Sequence, residues 1–243
     1  MTHRLRQRLT LTVLTVYWPA LFYISHIPVP EGVRISRVSD KGLHLTAYMI
    51  LSLLLWYSVS PSGRLSWRNK NTWRVLLVIV SYGFLDEILQ GLVGRSCDIA
   101  DFYADMAGTA LAMLVFTLFS FWRSLLIITA VAIFIMTNIA KGDIAEQMPY
   151  YNKLFHFFGY GFLALLWGCY QRLYFSWSSR TFLWSLSTIL IPTVYLAAVK
   201  TSSILLERGF GEADACIALA GIAAAAILLL LTNKSRFIAV PKG

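Results

Sequence analysis

The sequence predicts an all-α, polytopic integral membrane protein with eight transmembrane helices arranged as two parallel four-helix repeats. Three observations predict it. Of 243 residues, 58% are hydrophobic and 14% are charged, whereas a soluble domain is nearer half apolar and a quarter charged. Apolar runs separated by turn residues recur along the whole chain, most of them near the ~20 residues that cross a bilayer's hydrocarbon. A pair of polar motifs also returns at a nearly constant offset, the mark of an internal duplication.

The apolar runs fall near 9–26, 42–60, 74–93, 101–122, 124–141, 153–171, 181–200 and 214–232. The first follows a basic stretch, Met1 to Arg8, as in a signal peptide. Trp18, Pro19 and Tyr23 follow where a small-residue cleavage site belongs, so the run reads as a retained span. Pro28 to Gly32, Pro61 to Gly63, Gly94, Gly142 and Gly209 to Gly211 punctuate the others. The seventh run can be prolonged by the apolar stretch 201–206.

The duplication appears first in Lys41-x-x-His44-x-x-x-Tyr48, which returns 112 positions later as Lys153-x-x-His156-x-x-x-Tyr160. Arg95, Ala100-Asp101, Ala107-Gly108 and Ala110 return 113 positions later as Arg208, Ala213-Asp214, Ala220-Gly221 and Ala223. Residues 1–123 form the first repeat and 124–243 a degenerate second one. Four spans bring a chain back to its starting side, so the repeats share one orientation, as in parallel-repeat transporters.

Charge sets the expected topology. Arg4, Arg6, Arg8, Arg64, Arg68, Lys70, Arg74, Arg123, Arg172, Arg180, Lys234, Arg236 and Lys242 share one side of such a bundle, and the acidic residues lie towards the other. The positive-inside rule places both termini in the cytoplasm. The net charge of +9 then serves anionic lipid headgroups, and no nucleic-acid partner is expected. Cys97, Cys169 and Cys216 match no metal spacing and read as free thiols, with a Cys97–Cys216 disulfide as the alternative because those two fall near the same membrane face.

Ionisable groups inside spans are costly and point to function. His44, Glu87, Gln90, Arg95, Asp98, Asp101 and Asp105 fall at similar depth near the outer face. Lys41, and Lys153, His156, Arg208 and Asp214 from the second repeat, complete the ligand-binding candidates; His44 and Glu87 are the catalytic candidates. Each has a plainer role. The lysines can snorkel, Asp101 and Asp214 can cap helices, the arginines can neutralise carboxylates, and Tyr48 and Tyr160 can pack. Asp86 is adjacent to Glu87 and cannot share its face, so one of them can address a different helix. No HExxH or GxSxG pattern occurs. No cofactor is evident, and His with carboxylates is compatible with a divalent metal or with acid–base work. In the second repeat Glu87, Gln90, Asp98 and Asp105 fall opposite Lys200, Ser203, Gly211 and Ala218. The chemistry is therefore expected in the first.

Asp40-Lys41-x-x-His44-x-x-x-Tyr48, Glu87-x-x-Gln90, Gly94-Arg95, Asp101 and Ala107-Gly108 together resemble the signature of VanZ-like membrane proteins. The resemblance covers roughly 40–110 and, degraded, 152–225. Asp105 departs from it, since the family usually carries Asn there. The resemblance implies a multi-pass bacterial inner-membrane protein of the cell envelope, associated with low-level resistance to the lipoglycopeptide antibiotic teicoplanin. It implies no particular reaction. The expected partners are membrane lipids and a lipid-linked cell-wall intermediate or lipoglycopeptide. The expected function is an outward-facing polar site binding a lipid-linked or amphiphilic anionic ligand. One alternative is an intramembrane hydrolase or transferase on phosphate-bearing lipids, with His44 or Glu87 as base and Arg95 as clamp. Another is a transporter, which the scarcity of ionisable groups in the inner halves of the spans disfavours.

Overall fold

The computed structural model describes residues 3–27, 37–60, 63–93, 98–140, 149–175 and 181–237. These hold eight α-helices and no strand. They are α1 (His3–His26), α2 (Arg37–Val59), α3 (Lys70–Leu92), α4 (Ile99–Leu118), α5 (Phe121–Asn138), α6 (Pro149–Tyr174), α7 (Thr181–Leu205) and α8 (Glu212–Phe237). Helix α7 takes up most of the apolar stretch after residue 200. Six helices are long and apolar enough to cross a membrane: α2, α3, α4, α5, α7 and α8. Helices α1 and α6 have the length but carry more polar residues: three arginines open α1, and Asn152, Lys153, His156, Gln171 and Arg172 interrupt α6.

The polarity of α3 is inverted relative to a soluble helix. Leu77, Phe84, Leu85, Ile88 and Leu92 are exposed, while Asp86, Glu87 and Gln90 are buried. Water would reverse that arrangement. A hydrocarbon surround favours it, because polar side chains then turn to one another inside the bundle. Side chains cap both helices that carry most of the candidate carboxylates. Asn69 accepts from the Asn71 N–H before α3, and Asp98 accepts from the Ala100 N–H before α4, each satisfying an otherwise open amide.

The chain divides into two compact units, 1–128 and 129–243. In the first, α2 packs most closely on α4, and α1 and α3 flank the pair. Tyr17 reaches from α1 to donate to the Ala47 carbonyl at 3.0 Å. The Leu65 N–H donates to the Phe116 carbonyl at 2.9 Å, so the short α2–α3 connection is tied to the far end of α4. In the second unit α6 packs most closely on α8, with α7 against both. There Trp184 donates to the Gly168 carbonyl at 3.1 Å, and Arg172 donates to the Leu229 carbonyl at 2.8 Å.

One close approach occurs in both units. A Cβ placed on Gly108 would lie 2.1 Å from the Leu45 carbonyl oxygen, and one on Gly221 2.1 Å from the Phe157 carbonyl oxygen. Only glycine lets α4 meet α2, and α8 meet α6, at that distance. Membrane helix pairs commonly use small residues in this way. Gly108 is three residues from Asp105 on α4, and Leu45 follows His44 on α2, so the contact also brings those two side chains together.

Candidate functional site

The polar cluster of the first unit is assembled from four helices. Lys41 on α2 reaches Asp98 Oδ2 at 3.2 Å and Asp101 Oδ1 at 3.0 Å. One turn further along α2, His44 Nδ1 lies 3.0 Å from Asp105 Oδ1 on α4. The period of the helix explains the pairing. Lys41 and His44 are three apart, Asp101 and Asp105 four apart, so each pair presents one face. Asp105 is fully buried, and His44 nearly so.

Glu87 and Asp86 go different ways. Glu87 Oε2 accepts the Asp98 backbone N–H at 3.2 Å, beside the start of α4. Among the described residues its Oε1 is buried without a hydrogen-bond partner, as is Asp105 Oδ2. Asp86, about 100° around the helix, turns to α1, where Ser25 Oγ donates to its Oδ1 at 3.1 Å. Gln90 donates to Asp86 Oδ2 at 2.9 Å, so its side chain supports Asp86. His26 Nδ1 lies 2.9 Å from Ser25 Oγ and 3.8 Å from Asp86 Oδ1. A nucleophile relay needs serine and aspartate on opposite ring nitrogens. Both meet the same nitrogen here, so the trio fastens α1 to α3 and is not a catalytic triad.

Above Gly83 the cluster meets an apolar groove. A Cβ built on Gly83 would contact Met106 Cε and Tyr48 Cε1 at 3.3 Å and Asp105 Oδ2 at 3.5 Å. Met106 also lines a groove of about 500 Å³ between α3 and α4, with Leu76, Thr109, Ala110, Met113 and Trp67. Tyr48 is fully buried and stacks on Tyr82, with ring centroids 5.9 Å apart.

The second-unit candidates lie in different surroundings. His156 is fully buried among rings, 4.9 Å from Phe210, 5.4 Å from Phe155 and 6.1 Å from Tyr160 between centroids. Lys153 lies over the Tyr150 ring at 5.9 Å. Asp214 accepts from Asn152 at 3.0 Å. Lys200, opposite Glu87 in the duplication, pairs with Glu212. Among the described residues the Arg208 Nε is buried without a hydrogen-bond partner. Arg95 and Cys97 lie outside the described residues; Cys169 and Cys216 are free thiols. Sequence reasoning left Gly83 and Gly108 out of the site, and Asp86 out of its candidate set. Asp86 was visible as a charge in an apolar run, and Gly108 as part of an Ala-Gly-x-Ala string. Nothing in the sequence marked Gly83.

The described residues are all-helical, six of the helices are long and apolar enough to cross a membrane, and a carboxylate–histidine cluster is buried among the helices of the first unit. Residues 11–123, which make up most of the first unit, are similar to the family whose model is described as VanZ/LLP1. No curated protein and no solved structure matches the chain.

Proposed function

We propose that the protein binds an amphiphilic envelope molecule, its headgroup at the polar cluster of the first unit and its apolar chain in the groove between α3 and α4. The observation that carries this reading is the junction at Gly83, where Asp105 of the cluster and Met106 of the groove meet. From Met106 to Thr117 the groove follows α4 for about 16 Å, at 1.5 Å per residue, enough for a long alkyl segment. Lys41 is engaged by Asp98 and Asp101. An anionic headgroup therefore docks through another cation, because a bare carboxylate layer repels it.

In this reading all eight helices span the inner membrane as two parallel repeats, with both termini cytoplasmic and the site facing outwards. The arginines that open α1 and the basic α2–α3 connection support that orientation. The twin glycine contacts at Gly108 and Gly221 support the duplication. Sequestering or presenting a lipid-linked wall intermediate, or capturing a lipoglycopeptide such as teicoplanin, would connect the site to antibiotic resistance.

A second reading rests on the His44–Asp105 pair. An imidazole held by a carboxylate is the arrangement of a general base, which suits a hydrolase or transferase acting on phosphate-bearing lipids. One experiment separates the two. Purified protein is incubated with a panel of lipid phosphates and lipid-linked wall precursors, and both retention and turnover are measured. Retention without turnover, weakened about tenfold by Ala110→Phe filling the groove, supports binding; turnover lost in His44→Ala supports the enzyme. Neither retention nor turnover of any panel member defeats both.

A further inference from the structure

We infer that His44, Glu87 and Asp105 form a binding site for one divalent transition-metal ion. The inference deepens the binding reading above, because the ion supplies the positive charge through which an anionic headgroup docks. Three helices each contribute one residue: α2, α3 and α4. One ligand atom from each lies within 4.8 Å of the other two. All three residues are at least nine-tenths buried.

The second observation is independent of that spacing. Among the described residues, Glu87 Oε1 and Asp105 Oδ2 are buried with no hydrogen-bond partner. Two carboxylate oxygens left open at this depth cost free energy unless a positive group meets them. Lys41 does not meet them; its ion pairs go to Asp98 and Asp101. A divalent cation balances two carboxylates and leaves the imidazole as a neutral ligand.

Geometry allows it. Two ligands about 2.1 Å from one ion at a right angle sit ~3.0 Å apart, and His44 Nδ1 and Asp105 Oδ1 are 3.0 Å apart. The ion takes the place of the proton they share. Glu87 supplies the third ligand atom, a carboxylate oxygen within 4.8 Å of the other two. Its other oxygen is oriented by the Asp98 backbone N–H, the kind of outer contact that fixes metal ligands. Imidazole with carboxylates favours zinc or manganese over magnesium or calcium. Three protein ligands leave a position for water or a phosphate oxygen.

A competing cluster, Asp40, His44 and Asp101, has similar spacing. Its Asp101 is paired with Lys41, and the ammonium repels a second cation there. Among the described residues the second unit shows no equivalent cluster, and Lys200 and Ala218 stand opposite Glu87 and Asp105.

The test uses full-length, tag-free protein in detergent, stripped with a chelator and equilibrated separately with Mn²⁺, Zn²⁺, Mg²⁺ and Ca²⁺. Bound metal is counted by elemental mass spectrometry, and Mn²⁺-loaded protein is examined by electron spin echo spectroscopy for imidazole nitrogen coupling. The expected result is about one Mn²⁺ or Zn²⁺ per chain with coupling to a single imidazole. Glu87→Gln and Asp105→Asn should each weaken it at least about tenfold, while Glu212→Gln, at an exposed residue paired with Lys200, should leave it unchanged. No retained ion, no nitrogen coupling in the unsubstituted protein, or equal affinity in all variants overturns the site. The spectroscopic signal is read on unsubstituted protein, so a variant that fails to fold does not decide the matter. Loaded and stripped protein are then compared for binding of dioctanoyl phosphatidic acid. Metal retained without any gain in that binding keeps the site and removes the anionic-ligand reading alone.

Discussion

His44 and His156 occupy the same place in the repeated motif, yet they meet different neighbours. His44 faces Asp105 at 3.0 Å, with Glu87 close by. His156 is enclosed by Phe155, Tyr160 and Phe210. The backbone contact beside each is the same, glycine against the carbonyl of the residue following the histidine. What differs is a few side chains: Asp105 against Ala218 and Glu87 against Lys200. One packing device therefore supports either a polar cluster or an aromatic plug. A shared frame does not carry shared chemistry.

The largest expected effect separates the two histidines. His44→Ala should abolish function, read as cell susceptibility to a lipoglycopeptide at matched expression. His156→Ala should retain part of it while losing about 3 kcal/mol of stability as a cavity opens among the rings. If His156→Ala proves the more damaging to function at equal protein level, the active unit has been misassigned.

The glycine contacts come next. Gly108→Ala and Gly221→Ala each force a methyl group into a backbone carbonyl, and each should cost about 3 kcal/mol, measured as a lowered melting temperature in detergent. Only Gly108→Ala should also disturb ligand or metal binding, because only that contact sets His44 against Asp105. Equal loss of binding in both variants would mean that the second unit contributes to the site.

A smaller effect concerns Asp86. Asp86→Asn keeps the shape but weakens the charge-assisted bonds from Ser25 and Gln90, and should cost about 1 to 2 kcal/mol. Metal content should stay unchanged, because Asp86 turns to α1. The smallest effect is at the surface. Glu212→Gln removes the exposed partner of Lys200 and should change stability by less than about 1 kcal/mol. A larger loss there would show that Lys200 needs that partner as a buried group does.

Much of this was legible in the chain itself. The apolar runs located the helices because a membrane span must satisfy its own backbone, which fixes its length and composition. The duplicated motifs pointed to a repeat, and the layer of His44, Glu87, Asp98, Asp101 and Asp105 followed from helical rise alone. These are local properties, counted along one helix at a time.

The choice of partner was not local. The sequence placed Asp86 and Glu87 side by side, and only the packing of α1 and α4 decided that one meets Ser25 and the other the start of α4. Gln90 read as a ligand residue, and only the structure shows its amide donating to Asp86. Lys41 stood free to hold an anion until Asp98 and Asp101 were brought to it. Gly83 carried no signal, since its value lies in the space it leaves beside Tyr48 and Asp105. Sequence determined which groups lie at which depth, because depth follows from position along a helix. Tertiary structure decided which of them touch, because that depends on helix rotation and on two glycines that let the backbones meet.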